Sequence, residues 1–127
     1  MSTRSRIGIL HADGTTETIY CHSDGYPDQQ MPILTVHYET AEKVKALLAL
    51  GDISYLAERI APDADEPHSF NEPANGVTVA YHRDRNERMH PAQRHGSIDA
   101  LKADNWDISY FYLFDAENGA WLPPITG

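Results

Sequence analysis

RIGILHADGTTETIYCH, residues Arg6–His22, decides the fold more than any other stretch of the chain. Ile7 and Ile9 alternate with Gly8 and Leu10, and an Ala12-Asp13-Gly14 turn follows. Thr15–His22 then resumes with β-branched and aromatic residues. Two runs of period two joined by an Asp-Gly turn predict an antiparallel hairpin. In its second strand Ile19 and Cys21 share one face, and Thr18, Tyr20 and His22 take the other.

The other end of the chain mirrors this pattern. Ile108–Asp115 reads as an aromatic-rich strand, and Glu117-Asn118-Gly119 turns it back into Ala120-Trp121-Leu122 as a second hairpin. Helical spacing appears between the hairpins. Met31–Tyr38 is ambiguous, with Pro32 suited to the first turn of a short helix. Thr40 is an N-cap for a helix whose stripe is Val44, Leu47 and Leu48, ended by Gly51. Asp52 would cap a further helix carrying Ile53, Leu56, Ala57 and Ile60. Residues 61–75, APDADEPHSFNEPAN, form a surface loop. VTVAYHRDR, Val77–Arg85, reads as one middle strand, Asn86–Gly96 as irregular, and Ser97 as the cap of a short helix reaching Lys102.

Strands at both ends with helices between them predict an α+β fold. The expected sheet is largely antiparallel, built from the N- and C-terminal hairpins plus one middle strand and covered on one face by two or three helices. The expected core is Ile7, Ile9, Ile19, Val44, Leu47, Leu48, Leu56, Ile60, Val77, Val79, Phe111, Leu113 and Trp121. A chain of 127 residues with no internal repeat and no long linker reads as a single domain over 1–127.

Charge excludes some functions. Nineteen Asp and Glu against ten Lys and Arg give a net charge of −9, which repels phosphate backbones and anionic lipid, so direct nucleic-acid binding and membrane association are not expected. An acidic surface instead suits a protein partner with a basic surface. The single cysteine, Cys21, forms no internal disulfide, and no apolar run is long enough for a signal peptide or a membrane span. A cytosolic location is the expectation.

Two polar stretches carry candidate chemistry. In YCHSDGYP, Tyr20–Pro27, neighbouring residues point to opposite strand faces, so Cys21 and His22 do not share a metal ion; Cys21 reads as a small buried hydrophobe. His22 and Asp24 lie where a strand gives way to a loop, a position that suits a general acid or base and the group orienting it. In YHRDRNER, Arg83 and Arg85 at alternate strand positions would form a fork for phosphate or carboxylate, with Asp84 between them. Ser2-Thr3-Arg4-Ser5 adds Arg4 to a candidate anion site. The seven histidines are scattered without ligand spacing, and no recognised enzyme signature is present; neither metal nor cofactor is expected.

MSTRS at the N-terminus, IYCHSDGYP after the turn, LGD at Leu50–Asp52, HSF at His68–Phe70, VTVAYHRDR, and YLFD at 112–115 followed by Trp121 together resemble a family of small uncharacterised bacteriophage and prophage proteins. The resemblance spans nearly the whole chain. It implies a phage or mobile-element origin and directs attention to Arg4, His22, Asp24, Tyr26, Arg83, Asp84 and Arg85; it brings no established activity. That family carries Trp at the position of Ser23, so Ser23 and Asp28-Gln29-Gln30 depart from it.

Two functional expectations follow. One is a phage accessory protein of the anti-defence kind, a non-enzymatic binder that inhibits a host protein, with Asp63–Glu72 as contact surface, or sequesters a small anionic or nucleotide ligand. The other is a small enzyme on a phosphorylated or nucleotide substrate, with His22 and Asp24 catalytic and Arg83 and Arg85 holding phosphate. The exposed edges of a small sheet are compatible with a homodimer.

Overall fold

The computed structural model of the protein describes residues 3–127. Its centre is the predicted N-terminal hairpin. β1 (Ser5–Leu10) and β2 (Thr16–Cys21) pair antiparallel, with Ile7 opposite Ile19 and Ser5 opposite Cys21. In the turn between them the Asp13 carboxylate accepts hydrogen bonds from the Thr15 amide and hydroxyl. Asx-type bonding of this kind fixes a tight reversal.

Helices follow the hairpin. α1 (Pro27–His37) begins earlier than the sequence suggests, because Pro27 occupies its first turn and Tyr26 its N-cap position; Pro32 lies inside it. α2 (Ala41–Leu48) is capped by Thr40, whose hydroxyl accepts from the Lys43 amide, and it buries Val44, Leu47 and Leu48.

The further helix expected after Gly51 is instead a strand, β3 (Ile53–Tyr55). Its burial pattern explains the misreading. Ile53, Leu56 and Ala57 are all buried at helix-like spacing, but they reach the core from an extended segment that then bends. Ile53 pairs in parallel register with Cys21 and in antiparallel register with Ala80. Asp52 caps no helix; its carboxylate accepts the Tyr20 amide at 3.0 Å.

The middle strand is likewise short. β4 is only Val79–Ala80, and Tyr81–Arg85 forms a single helical turn, α3. The Asp84 carboxylate reaches back to the Ala80 amide at 2.8 Å, and Asn86 closes the turn in the left-handed conformation, φ 55°. The first is a local polar device that stops the extended run, and the second ends the helical turn. The stretch expected to be irregular contains β5 (Gln93–His95), which pairs with β2 at Thr16–Thr18.

α4 (Ile98–Asp104) starts at Ser97 as predicted, and the Ser97 hydroxyl accepts the Ala100 amide. β6 (Tyr110–Asp115) pairs parallel to β1, and β7 (Ala120–Trp121) forms the C-terminal hairpin with it. β8 (Ile125–Thr126) pairs antiparallel to the start of β6.

The fold is α+β: among the described residues it is an open, mixed and mostly antiparallel sheet of eight strands with four helices, its main path running β4-β3-β2-β1-β6-β7. Alternation along β6 divides the core. Tyr112 and Phe114 join Ile7, Ile9, Ile19 and residues of α1 and α2 on one face, whereas Phe111 and Leu113 pack with Leu101 of α4 on the other. Ile60 and Trp121, expected in the core, are half-buried at its margin. No helix among the described residues is long and apolar enough to cross a membrane.

Candidate functional site

The sequence places its first candidate cluster at the end of β2. Cys21 is fully buried there, and the Gln30 amide donates to its sulfur at 3.2 Å. Burial pushes the thiol up to about 11, so Cys21 stays protonated and is no nucleophile at neutral pH. Beneath the loop, Ser5 donates to Gln30 at 2.8 Å and the Tyr112 hydroxyl donates to the Gly25 carbonyl at 2.6 Å. The loop after His22 is therefore fixed from below by buried polar groups. Gly25 also lies so close to Thr3 and Ser5 that a Cβ would meet the Thr3 carbonyl at 2.7 Å.

His22 and Asp24 do not form a dyad. The Nδ1 of His22 is 2.7 Å from the Tyr20 hydroxyl, two residues back on the same strand face. Its backbone amide donates to Ile53. Asp24 is exposed in the left-handed conformation, φ 54°, and Tyr26 is 42% exposed at the start of α1.

Arg83 and Arg85 do not form a fork. Within one helical turn their side chains leave in different directions. Arg83 donates from Nε and Nη2 to the two Asp84 oxygens, from Nη2 also to Thr78 O at 2.6 Å, and from Nη1 to Ile60 O. Asp84 is 4% exposed and also accepts from Ala80. Burial alone would raise its carboxyl, but the bonds from Arg83, Ala80 and His68 hold it below the usual value.

His68 completes this cluster from the acidic loop. Its Nδ1 accepts the Ala74 amide at 2.9 Å, so Nε2 carries the proton and lies 3.0 Å from Asp84. Arg85 stands over the Phe70 ring, 4.8 Å from its centroid, and pairs with Glu87. The predicted anion clamp is thus a polar knot that ties the loop to α3.

Arg4 is half-exposed and pairs with Asp107 at 3.5 Å; Ser2, the other part of that candidate anion site, lies outside the described residues. The sequence did not single out Arg6, which is 4% exposed and donates to the hydroxyl and carbonyl of Thr18. Burial lowers its pKa, and the fields of Asp52, Asp104 and Asp107 oppose that shift.

The candidate groups also stand apart in the sheet. Cys21, Ile53 and Ala80 are successive partners across β2, β3 and β4, which puts the end of β2 roughly 10 Å from β4, or two strand spacings. Among the described residues, no group of three or more His, Cys, Asp or Glu side chains is placed to hold a metal ion.

A groove of about 290 Å³ opens elsewhere, beside the C-terminal end of α1. Val36, Tyr38, Ala46 and Ile60 line it together with the polar His37, Lys43 and Glu58. None of the candidate residues read from the sequence lines it. No local motif signals this groove, because it forms where a helix end, a second helix and the chain after β3 converge.

The loop between Ile60 and Gly76 is ordered by Arg59, which holds Glu66 through two hydrogen bonds of 2.8 and 2.9 Å and donates to Asn75 O. This pairing brings the Glu66 carboxyl down to about 2. Asp63, Asp65 and Glu72 face solvent.

Comparison with protein-family models, with curated proteins and with solved structures finds no match.

Proposed function

We propose that the chain is a non-enzymatic binding protein of the phage-accessory type, acting in the bacterial cytosol on a host defence protein that presents a basic surface. One observation carries this reading: the disposition of charge. Arg83 and Arg59 are engaged by carboxylates and carbonyls, while Asp65 and Glu72 face solvent and Asp63, 3.8 Å from Arg59, is 88% exposed on the same loop. A loop whose arginine is held within it and whose carboxylates reach solvent, on a chain of net charge −9, attracts basic partners and repels anionic ligands. The pre-ordered loop also lowers the entropy lost on docking.

The enzymatic reading has less support. It requires His22 beside Asp24 and two free arginines within reach of one phosphate, whereas His22, Arg83 and Arg85 have other partners. Nucleotide sequestration loses the same fork.

Affinity capture from bacterial lysate, run in parallel with the wild type and with Asp63→Lys/Asp65→Lys/Glu72→Lys, tests the proposal. The expected result is a basic protein held in fixed ratio by the wild type and lost from the variant. Equal retention by both would refute the role of the loop, and a retained small anion without a protein would refute the reading.

A further inference from the structure

The groove at the end of α1 has features that a generic acidic surface lacks. Val36 is 64% exposed, far more than is usual for a branched aliphatic residue on a helix, and it lines the groove with Ala46, Ile60 and Tyr38. Tyr38 itself is 2% exposed, and its hydroxyl donates to Ala57 O at 2.9 Å. Of the charged groups in the lining, Lys43 is committed to Glu39 at 2.7 Å. Glu58 is exposed, its carboxylate lying over Gly76, and the nearby Arg59 is held by Glu66. Apolar side chains and an uncompensated carboxylate therefore share one concave site.

We infer that this groove receives a single arginine or lysine side chain of a basic partner protein, its aliphatic stem against Val36 and Ile60 and its cationic head on Glu58. This inference rests on the function proposed above and names where that partner is read. Size supports it. At about 290 Å³ the groove falls just below the ~300–1,000 Å³ range of small-ligand pockets, which suits one long side chain. Long cationic side chains pack their stems on apolar surface while keeping the head on a polar partner, and a guanidinium matches a carboxylate with two parallel bonds.

The chain passes from Ile60, which lines the groove, straight into the acidic loop, where Asp63 and Asp65 face solvent.

The test uses the full chain and a defined probe, tri-arginine amide, followed by amide chemical shifts in two-dimensional NMR. Shifts concentrated at Val36, His37, Ala46 and Glu58 are expected. Glu58→Gln should weaken the probe about fivefold, the factor for an ion pair at the upper end of the exposed range. Glu117→Gln, which makes the same change in net charge at the β6–β7 turn, outside the groove lining, should change it by less than about twofold. Ala46→Phe, on an exposed helix position, should fill the groove and abolish binding with charge unchanged. Equal losses in the two glutamate variants, undisturbed binding in Ala46→Phe, or the absence of groove shifts would each overturn the inference. If the lysate partner is retained by both Glu58→Gln and Ala46→Phe, the groove inference fails while the proposed function stands; if no basic partner is captured by the wild type, the function fails with it.

Discussion

Replacing Arg83 with alanine distinguishes a structural knot from a ligand clamp. The wild-type guanidinium makes bonds to Asp84 Oδ1 and Oδ2, Thr78 O and Ile60 O. Its removal leaves a carboxylate that is 4% exposed with only a backbone amide and His68 beside it. Breaking a buried ion pair on one side costs about 3–5 kcal/mol. Arg83 itself is 27% exposed, so water enters the vacated space and the loss falls to about 2–3 kcal/mol. At roughly 3–5 °C per kcal/mol for a chain of this length, the melting temperature should fall by about 10 °C. Urea denaturation of Arg83→Ala, Asp84→Ala and the double variant should give a coupling energy above about 1.5 kcal/mol. A loss below about 0.5 kcal/mol for Arg83→Ala, the range for an ordinary surface residue, would refute the reasoning and return Arg83 to the list of free ligand-binding groups.

Other predictions follow from the buried polar groups. Because the Asp84 carboxyl is held below its unfolded value of about 3.9, it contributes stability above that pH and loses it as pH falls through the lower folded value. Acid titration of stability should thus show a drop below about pH 4 that Asp84→Asn flattens. With its thiol at about 11, native Cys21 should react with iodoacetamide at pH 8 about a hundredfold more slowly than the urea-unfolded chain; comparable rates would contradict its burial. Tyr112→Phe should cost about 1–2 kcal/mol by leaving the Gly25 carbonyl without its donor, and amide exchange at Ser23 and Gly25 should quicken.

The two hairpins and the Thr40 and Ser97 caps were legible because their signals are local. Period-two alternation, an Asp-Gly or Asn-Gly turn and a hydroxyl three residues before a free amide need no distant partner. β3 was not legible for the opposite reason. Ile53 is extended because Cys21 and Ala80 flank it, and neither is near it in sequence. Its spacing with Leu56 and Ala57 fits a helix equally well until the sheet is assembled. The parallel pairing of β1 with β6 brings together segments about a hundred residues apart, and no local pattern records it.

The candidate site was legible only as a set of polar residues. Alternation correctly put Cys21 inside and His22 on the opposite face. The arginine fork depended on Tyr81–Arg85 continuing as a strand, and Asp84, by accepting the Ala80 amide, turns that segment into a helix. One carboxylate thus both ends the strand and occupies the arginine that was expected to bind a ligand.

The most direct test of the account is native mass spectrometry of the protein as isolated from bacterial cells. The account predicts a complex with a basic protein that dissociates as salt is raised, and a chain isolated without one would contradict it. A stoichiometric small anion that survives isolation and disappears in Arg83→Ala would contradict it and restore the nucleotide-binding reading.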